Sequence, residues 1–173
     1  MKASPTLSPI NRMSQKYVIA HFFEPQTPSV IFPAQEWPLH VTLLPNFTIK
    51  WPLDVLIQKI DELTVATVPF DIKPEGQAAF GPKEDVPVTL IYPGNAIMEL
   101  HNALMALSDD ASFVYDTPQF IGKGFRPHAT VQYKNSLQIG QTYHLDNLSL
   151  VNMFPNNDIN GRVVIDTFLL RGK

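Results

Sequence analysis

The sequence predicts an α+β fold of two small lobes, each a sheet with its helix packed outside. Strand-like runs outnumber helical ones, and one helical pattern occurs in each half of the chain. The sixteen prolines outnumber the eight glycines, and proline is about twice as frequent as usual. Because proline breaks helix interiors, this composition favours strands and turns over a helical bundle.

Two strands and a helix are predicted in the first half. Residues 17–23 form a short apolar, β-prone run that a Glu-Pro pair closes. A proline-rich loop over 24–38 leads to a second strand over 39–47, which Pro45 is expected to end. Pro52 fits the first turn of a helix, where its missing N–H needs no partner. Apolar residues then recur at helical spacing: Leu53, Leu56, Ile57, Ile60 and Leu63.

The second half repeats this order with additional strands. Asn95 is a plausible N-cap for a second helix, and His101 lies near its apolar stripe, where a packing or capping role is expected. That stripe comprises Ile97, Leu100, Leu104 and Leu107. Strands are predicted over 68–73, 76–80, 86–92, 126–133, 142–153 and 162–170. Asparagine-rich turn signals at 156–157 and 160–161 separate the last two strands.

Length and composition limit the domain organisation and location. The 173 residues suit one domain, and 45% hydrophobic residues are enough for a sizeable core. Residues 1–16 are polar and proline-broken, so we expect a flexible leader ahead of a single domain over 17–173. The chain contains no stretch of eighteen apolar residues and no secretory h-region. The expected location is therefore the cytoplasm, without membrane contact.

Charge and cysteine content exclude several functional classes. The net charge of -3 does not fit a protein that neutralises many phosphates along a nucleic-acid duplex. A nucleic-acid partner should therefore be small, or held at one end. The absence of cysteine removes disulfides, thiol nucleophiles and thiolate metal sites. The histidines lack zinc-ligand spacing, and the sequence contains no phosphate-binding glycine loop. We therefore expect neither a metal nor a cofactor.

A His-x-Thr-aliphatic motif occurs once in each half of the chain. The first copy contains His40 and Thr42, and the second contains His128 and Thr130. Both copies lie in strand-like runs, where residues i and i+2 point to the same face. Each motif therefore presents an imidazole beside a hydroxyl, while Val41, Leu43, Ala129 and Val131 are expected to face the core.

These paired motifs resemble those of the 2H phosphoesterase superfamily, which includes 2′-5′ RNA ligase-like proteins and 2′,3′-cyclic phosphodiesterases. The resemblance extends over about residues 17–173 in the order of motifs and elements. It implies an α+β fold of two pseudo-symmetric lobes, each an antiparallel sheet with an outer helix, in which the motif strands face each other across a central groove. By position, it implies that His40 and His128 are catalytic and that Thr42 and Thr130 bind phosphate.

The chemistry of a phosphodiester explains why two such motifs are useful. In-line cleavage needs a base for the attacking oxygen and an acid for the leaving oxygen. Two imidazoles can divide these roles near neutral pH, since the unperturbed pKa of histidine is about 6.5. Two hydroxyls can donate hydrogen bonds to the non-bridging oxygens. A bell-shaped dependence of rate on pH follows, but the sequence does not assign the acid and the base.

Four neighbouring residues are candidates for substrate binding. Arg126 should share a face with His128 and could hold a phosphate or a base, although a surface role is equally compatible. Trp37 and Phe125 precede the two motifs and could stack on a nucleobase or pack between the lobes. His21 lies in the first strand, where it could border the groove, although a structural role is favoured.

The leading hypothesis is a metal-independent phosphodiesterase that acts on a 2′,3′-cyclic phosphate or a 2′-5′ linkage, in RNA ends or small nucleotides. Ligation of RNA ends would be the reverse reaction. Two alternatives remain: a hydrolase of cyclic oligonucleotide signals that uses the same site, and a binding module that recognises a nucleotide or RNA end without turnover. The sequence favours a monomer but does not determine the oligomeric state.

Overall fold

The computed structural model describes residues 15–108, 112–133 and 135–173, and these contain two α-helices and eleven strands. The first half comprises β1 (Lys16–Phe22), β2 (Ile31–Pro33), β3 (His40–Ile49), α1 (Leu53–Ala66), β4 (Phe70–Ile72), β5 (Pro74–Phe80) and β6 (Val86–Ile91). The second comprises α2 (Asn95–Met105), β7 (Phe113–Tyr115), β8 (His128–Thr130), β9 (Tyr143–Leu145), β10 (Asn147–Asn152) and β11 (Gly161–Leu169). Most of the expected leader lies outside the described residues, and Lys16 already belongs to β1.

The strands form three antiparallel sheets. The largest has the order β2-β11-β10-β1-β3-β7, a second has the order β5-β6-β8, and β4 pairs with β9. The α+β class with antiparallel sheets and two helices is therefore confirmed.

Neither α-helix is long and apolar enough, within the described part of the chain, to cross a membrane.

The two principal sheets are unequal, which the apparent duplication does not predict. Strand β10 from the second half lies between β1 and β11 in the larger sheet. It is buried along almost its whole length, from Asn147 to Val151, and a strand buried on both faces belongs in the middle of a sheet. Both helices contact this same sheet, α1 at β11 and α2 at β3, so they do not divide one to each sheet.

Several boundaries differ from those expected. Strand β3 continues through Pro45 to Ile49 because its pairing with β1 shifts register between Tyr17 and Ile19. Such a bulge accommodates a proline, which cannot donate to a regular ladder. The expected N-cap Asn95 is instead the first residue of α2. Strand β8 is limited to three residues, and β2 and β7 lie in segments that gave no strand signal.

Two hydrophobic clusters lie on opposite faces of the larger sheet. Alternate residues of β1 belong to different clusters. Ile19 belongs to the cluster that includes side chains from both helices, whereas Ala20 and Phe22 belong to the other cluster. Phe22 is the register partner of His40, and Ala20 is the partner of Thr42. Because register partners share a face, the first motif faces away from the helices.

Candidate active site

The two motifs lie on strands that contact each other but belong to different sheets. β3 carries the first motif and β8 carries the second, and the two strands are in contact. Val41, Leu43 and Ala129 are all buried in one hydrophobic cluster, as the alternation predicts, whereas Val131 lies just past β8 and is half-buried. Because neighbouring strand residues point to opposite faces, the histidine and threonine of each motif project away from that common core.

Both motif imidazoles are held by the same hydrogen bond to the backbone. The Nδ1 atom of His40 lies 2.8 Å from the carbonyl oxygen of Pro38. The Nδ1 atom of His128 lies 2.7 Å from the carbonyl oxygen of Arg126. A carbonyl oxygen can only accept, so each Nδ1 carries the proton. In each neutral ring the lone pair is therefore on Nε2, which is the tautomer that a base for proton abstraction requires.

Burial determines the charge state of these rings. It lowers the pKa of His40 to about 4, although the hydrogen bond to Pro38 opposes this effect and the charge of His128 adds to it. Burial likewise lowers the pKa of His128; the Arg126 carbonyl opposes the shift and the Arg126 guanidinium adds to it. Both rings are therefore neutral at pH 7 in the free protein. The effect of His128 on the pKa of His40 agrees with the contact between β3 and β8.

An aromatic ring flanks each motif histidine. The ring centroid of Trp37 lies 4.6 Å from that of His40. The ring centroid of Phe80 lies 4.7 Å from that of His128, in an edge-to-face arrangement. The Arg126 guanidinium lies 4.8 Å from the Phe80 ring centroid, a cation–π contact. Phe80 carries no motif signal, because only the pairing of β5, β6 and β8 brings it to His128.

The structure separates Phe125 and His21 from this group. Phe125 is only 9% exposed, and its ring stacks on His101 at a centroid distance of 3.9 Å. Phe125 therefore packs against α2. His21 is 1% exposed and pairs with Val41, on the sheet face opposite His40. Its Nδ1–H donates to the Asn147 carbonyl at 3.0 Å, which matches the favoured structural role.

The motif threonines lie beside their histidines on the same strand faces. Thr42 and Thr130 are half-buried, and their register partners are Ala20 and Val88. Because these partners are alanine and valine, the threonine hydroxyl is the only polar side-chain group in each register pair. Among the described residues, no three histidine, aspartate or glutamate side chains are grouped so that they could hold a metal ion.

The two His-x-Thr motifs thus lie on contacting strands of two different antiparallel sheets. A family model described as the 2′-5′ RNA ligase superfamily matches residues 12–148, a range that includes both motifs. The chain therefore belongs to the 2′-5′ RNA ligase superfamily, which confirms the resemblance seen in its motifs.

Solved structures show the same fold at low sequence identity. The protein TT0787 of Thermus thermophilus has a TM-score of 0.58 and 18% identity, over 91% of this chain and 99% of that chain. E. coli LigT complexed with 3′-AMP has a TM-score of 0.54 and 14% identity, over the same shares. A structure described as a phosphoesterase has a TM-score of 0.52 and 14% identity, again over the same shares. The search of curated proteins gave no significant match.

Proposed function

We propose that this protein is a phosphodiesterase that opens 2′,3′-cyclic phosphates or cleaves 2′-5′ linkages, in RNA ends or small nucleotides. The observation that carries the proposal is the matched pair of imidazoles, His40 and His128. They lie on contacting strands and have the same backbone hydrogen bond at Nδ1. Two such groups supply both proton transfers of the reaction, so the proposed step needs no metal ion.

Hydrolysis of a cyclic phosphate uses the two rings in opposite protonation states. The neutral ring accepts a proton from water at Nε2 as the water oxygen forms a bond to phosphorus. The bond from phosphorus to one ribose oxygen breaks, and the protonated ring donates its proton to that oxygen. The product is a phosphomonoester with a free hydroxyl. Thr42 and Thr130 donate hydrogen bonds to the non-bridging oxygens, where negative charge increases in the transition state.

The same two roles serve a 2′-5′ linkage. One ring removes the proton of the adjacent 3′ hydroxyl, whose oxygen attacks phosphorus, and the other ring protonates the leaving 5′ oxygen. The products are a 2′,3′-cyclic phosphate and a 5′ hydroxyl. Ligation is this step in reverse, with acid and base exchanged, as microscopic reversibility requires.

Surrounding residues support a nucleotide substrate of limited length. Phe80 and Arg126 form a cation–π pair beside His128, and Trp37 lies beside His40. An aromatic or guanidinium face can stack on a base, which is worth roughly 1–3 kcal/mol. A 3′-AMP complex of the similar LigT fold supports a ribonucleotide as ligand. The net charge of -3 favours a small nucleotide or an RNA end over a long strand.

The test compares turnover by wild type, His40→Ala and His128→Ala on 2′,3′-cyclic mononucleotides and a 2′-5′-linked dinucleotide. Each substitution should lower kcat by about 10²–10⁴ because it removes one proton-transfer group. His144→Ala is the matched control, since His144 is exposed and bonds to Asp71 away from the motifs, and it should retain wild-type turnover. Full activity in either motif variant contradicts the proposed roles.

The same assay, with cyclic oligonucleotides added to the substrates, separates the other functions. Turnover restricted to cyclic oligonucleotides would assign the site to a signalling substrate. Binding of 3′-AMP by the wild-type protein without turnover of any substrate would identify a binding module. Either result replaces the proposed substrate and leaves the membership of the superfamily unchanged.

A further inference from the structure

We infer that His101 is a positioning residue that holds the two His-x-Thr motifs at a fixed separation, an inference that rests on the proposed function. His101 belongs to neither motif and lies on α2, behind the candidate active site. It is fully buried, and each of its ring nitrogens bonds to a segment that carries a different motif.

The first bond joins His101 to the strand of the first motif. Its Nδ1–H donates to the carbonyl oxygen of Leu43 at 2.7 Å, and Leu43 lies on β3, three residues after His40. The second bond joins it to the segment ahead of the second motif. The amide N–H of Gly122 donates to Nε2 of His101 at 2.8 Å. One neutral imidazole therefore bridges two parts of the chain that meet only through tertiary contacts.

The segment between Gly122 and the second motif has further short-range support. The N–H of Phe125 donates to the Gly122 carbonyl at 3.1 Å, and the Phe125 ring stacks on His101 at an angle of 8°. The next carbonyl, from Arg126, accepts the hydrogen bond of the His128 ring at 2.7 Å. A displacement of Gly122 would therefore move the backbone that holds the imidazole of His128, which lies six residues further along the chain.

Apolar packing alone does not account for histidine at this place. A leucine or phenylalanine would fill a buried position on α2 equally well, but it would leave the Leu43 carbonyl and the Gly122 amide without this partner. A buried backbone polar group that loses its hydrogen-bond partner destabilises the folded state. A neutral imidazole makes all three contacts at once, because its flat ring stacks on Phe125 while one nitrogen donates to Leu43 and the other accepts from Gly122.

The test uses three substitutions of His101 that divide its contacts. His101→Phe keeps the volume and the stack on Phe125 but removes both hydrogen bonds. His101→Asn retains an amide donor for Leu43, and His101→Gln retains a carbonyl acceptor for Gly122. Leu104→Ala is the control, since Leu104 is fully buried one turn further along α2 and its truncation destabilises the core without altering the bridge.

We expect His101→Phe to lower kcat at least tenfold more than Leu104→Ala does, at a comparable loss of unfolding free energy and with a smaller change in KM. Loss of alignment affects the transition state, which both motifs must contact at once, more than it affects substrate binding. The Asn and Gln variants should recover part of the lost kcat. If kcat follows stability in the same way for all four variants, His101 is only a core residue and the inference is wrong.

A second measurement distinguishes this inference from the proposed function. With inorganic phosphate as the probe, NMR signals of both the His40 and His128 rings should shift with a single Kd in the wild-type protein. In His101→Phe that Kd should rise severalfold, a smaller factor than the fall in kcat, and this rise is expected even if the wild type turns over no nucleotide. An unchanged Kd overturns the inference. Absence of turnover by the wild type with the Kd change present would instead contradict the proposed function alone.

Discussion

The motif histidines have pKa values below that of free imidazole, and this affects the expected optimum pH. Catalysis needs one ring protonated and the other neutral. Since burial lowers the pKa of His40 to about 4 and also lowers that of His128, both rings lose their protons below the usual value near 6.5. The productive form of the free protein is therefore most abundant on the acid side of neutrality.

We expect kcat/KM for a 2′,3′-cyclic nucleotide to reach its maximum below pH 6.5 and to decline as pH rises toward 8. The profile of kcat should lie at higher pH, because a bound phosphate anion favours the protonated imidazole and raises its pKa. Initial-rate measurements between pH 4 and 9 test both statements. A kcat/KM profile that is flat, or that rises through pH 8, contradicts the paired acid–base roles.

The threonine hydroxyls are expected to act on the transition state and to contribute little to folding. Thr42→Val and Thr130→Val keep the shape of the side chain and suit a strand, so each should change the free energy of unfolding by less than about 1 kcal/mol. Each should lower kcat by about 10²-fold, as loss of one oxyanion donor does. Thr48→Val, on the same strand as Thr42 but outside the motif, is the control. Equal rates for Thr42→Val and Thr48→Val would exclude a role of the Thr42 hydroxyl in catalysis.

At the scale of elements, the loop ahead of β8 depends on a close backbone approach at Gly124. A Cβ atom at this position would lie 2.0 Å from the carbonyl oxygen of Gln119, so any larger residue must displace backbone. This loop also carries the Gly122 amide that bonds to His101. Its conformation therefore bears on the position of His128, although none of its residues contributes a motif side chain.

We expect Gly124→Ala to lower the free energy of unfolding by roughly 1–3 kcal/mol, the usual cost of forcing atoms into a filled space. It should also lower turnover, because the backbone that supports His128 must move. Gly76→Ala on β5 is the matched control, since a Cβ there meets nothing within 4 Å. Denaturant unfolding of both variants provides the measurement, and equal stabilities would show that the loop yields at little cost.

At the scale of the whole molecule, buried histidines link folding to pH. Burial lowers the folded-state pKa of His21, His40, His101 and His128. The unfolded chain, with pKa values near 6.5, therefore binds more protons than the folded chain at mildly acid pH. Their contribution to stability is fully present above pH 6.5 and is lost as pH falls toward the folded-state pKa values, about 4 for His40.

We expect the free energy of unfolding to be lower at pH 5 than at pH 7.5, with His40 alone accounting for on the order of 2 kcal/mol. Urea unfolding at the two pH values measures this difference. His40→Asn should reduce the difference by a similar amount, because the titrating ring is removed. A difference that is the same in the variant and the wild type would show that His40 does not contribute to it.

Much of the fold followed from local patterns that depend on neighbouring residues only. The apolar spacing located both helices, apolar β-prone runs located the long strands, and strand alternation gave the buried face of each motif. The short strands β2 and β7 gave no such signal, because three residues form a strand only when a neighbouring strand pairs with them. Pro45 wrongly predicted the end of its strand for the same reason. The bulge in the pairing with β1 means that no N–H donor is needed at this position.

The sequence by itself determined the superfamily, the antiparallel α+β class and the residues of the two motifs, because strand alternation and motif chemistry are local properties. Only the tertiary structure decided which side chains accompany them. It brought Phe80 to His128, placed His21 on the opposite face from His40, and made His101 a bridge between β3 and the loop before β8. These relations depend on sheet pairing and packing between segments far apart in the chain, which no local pattern records.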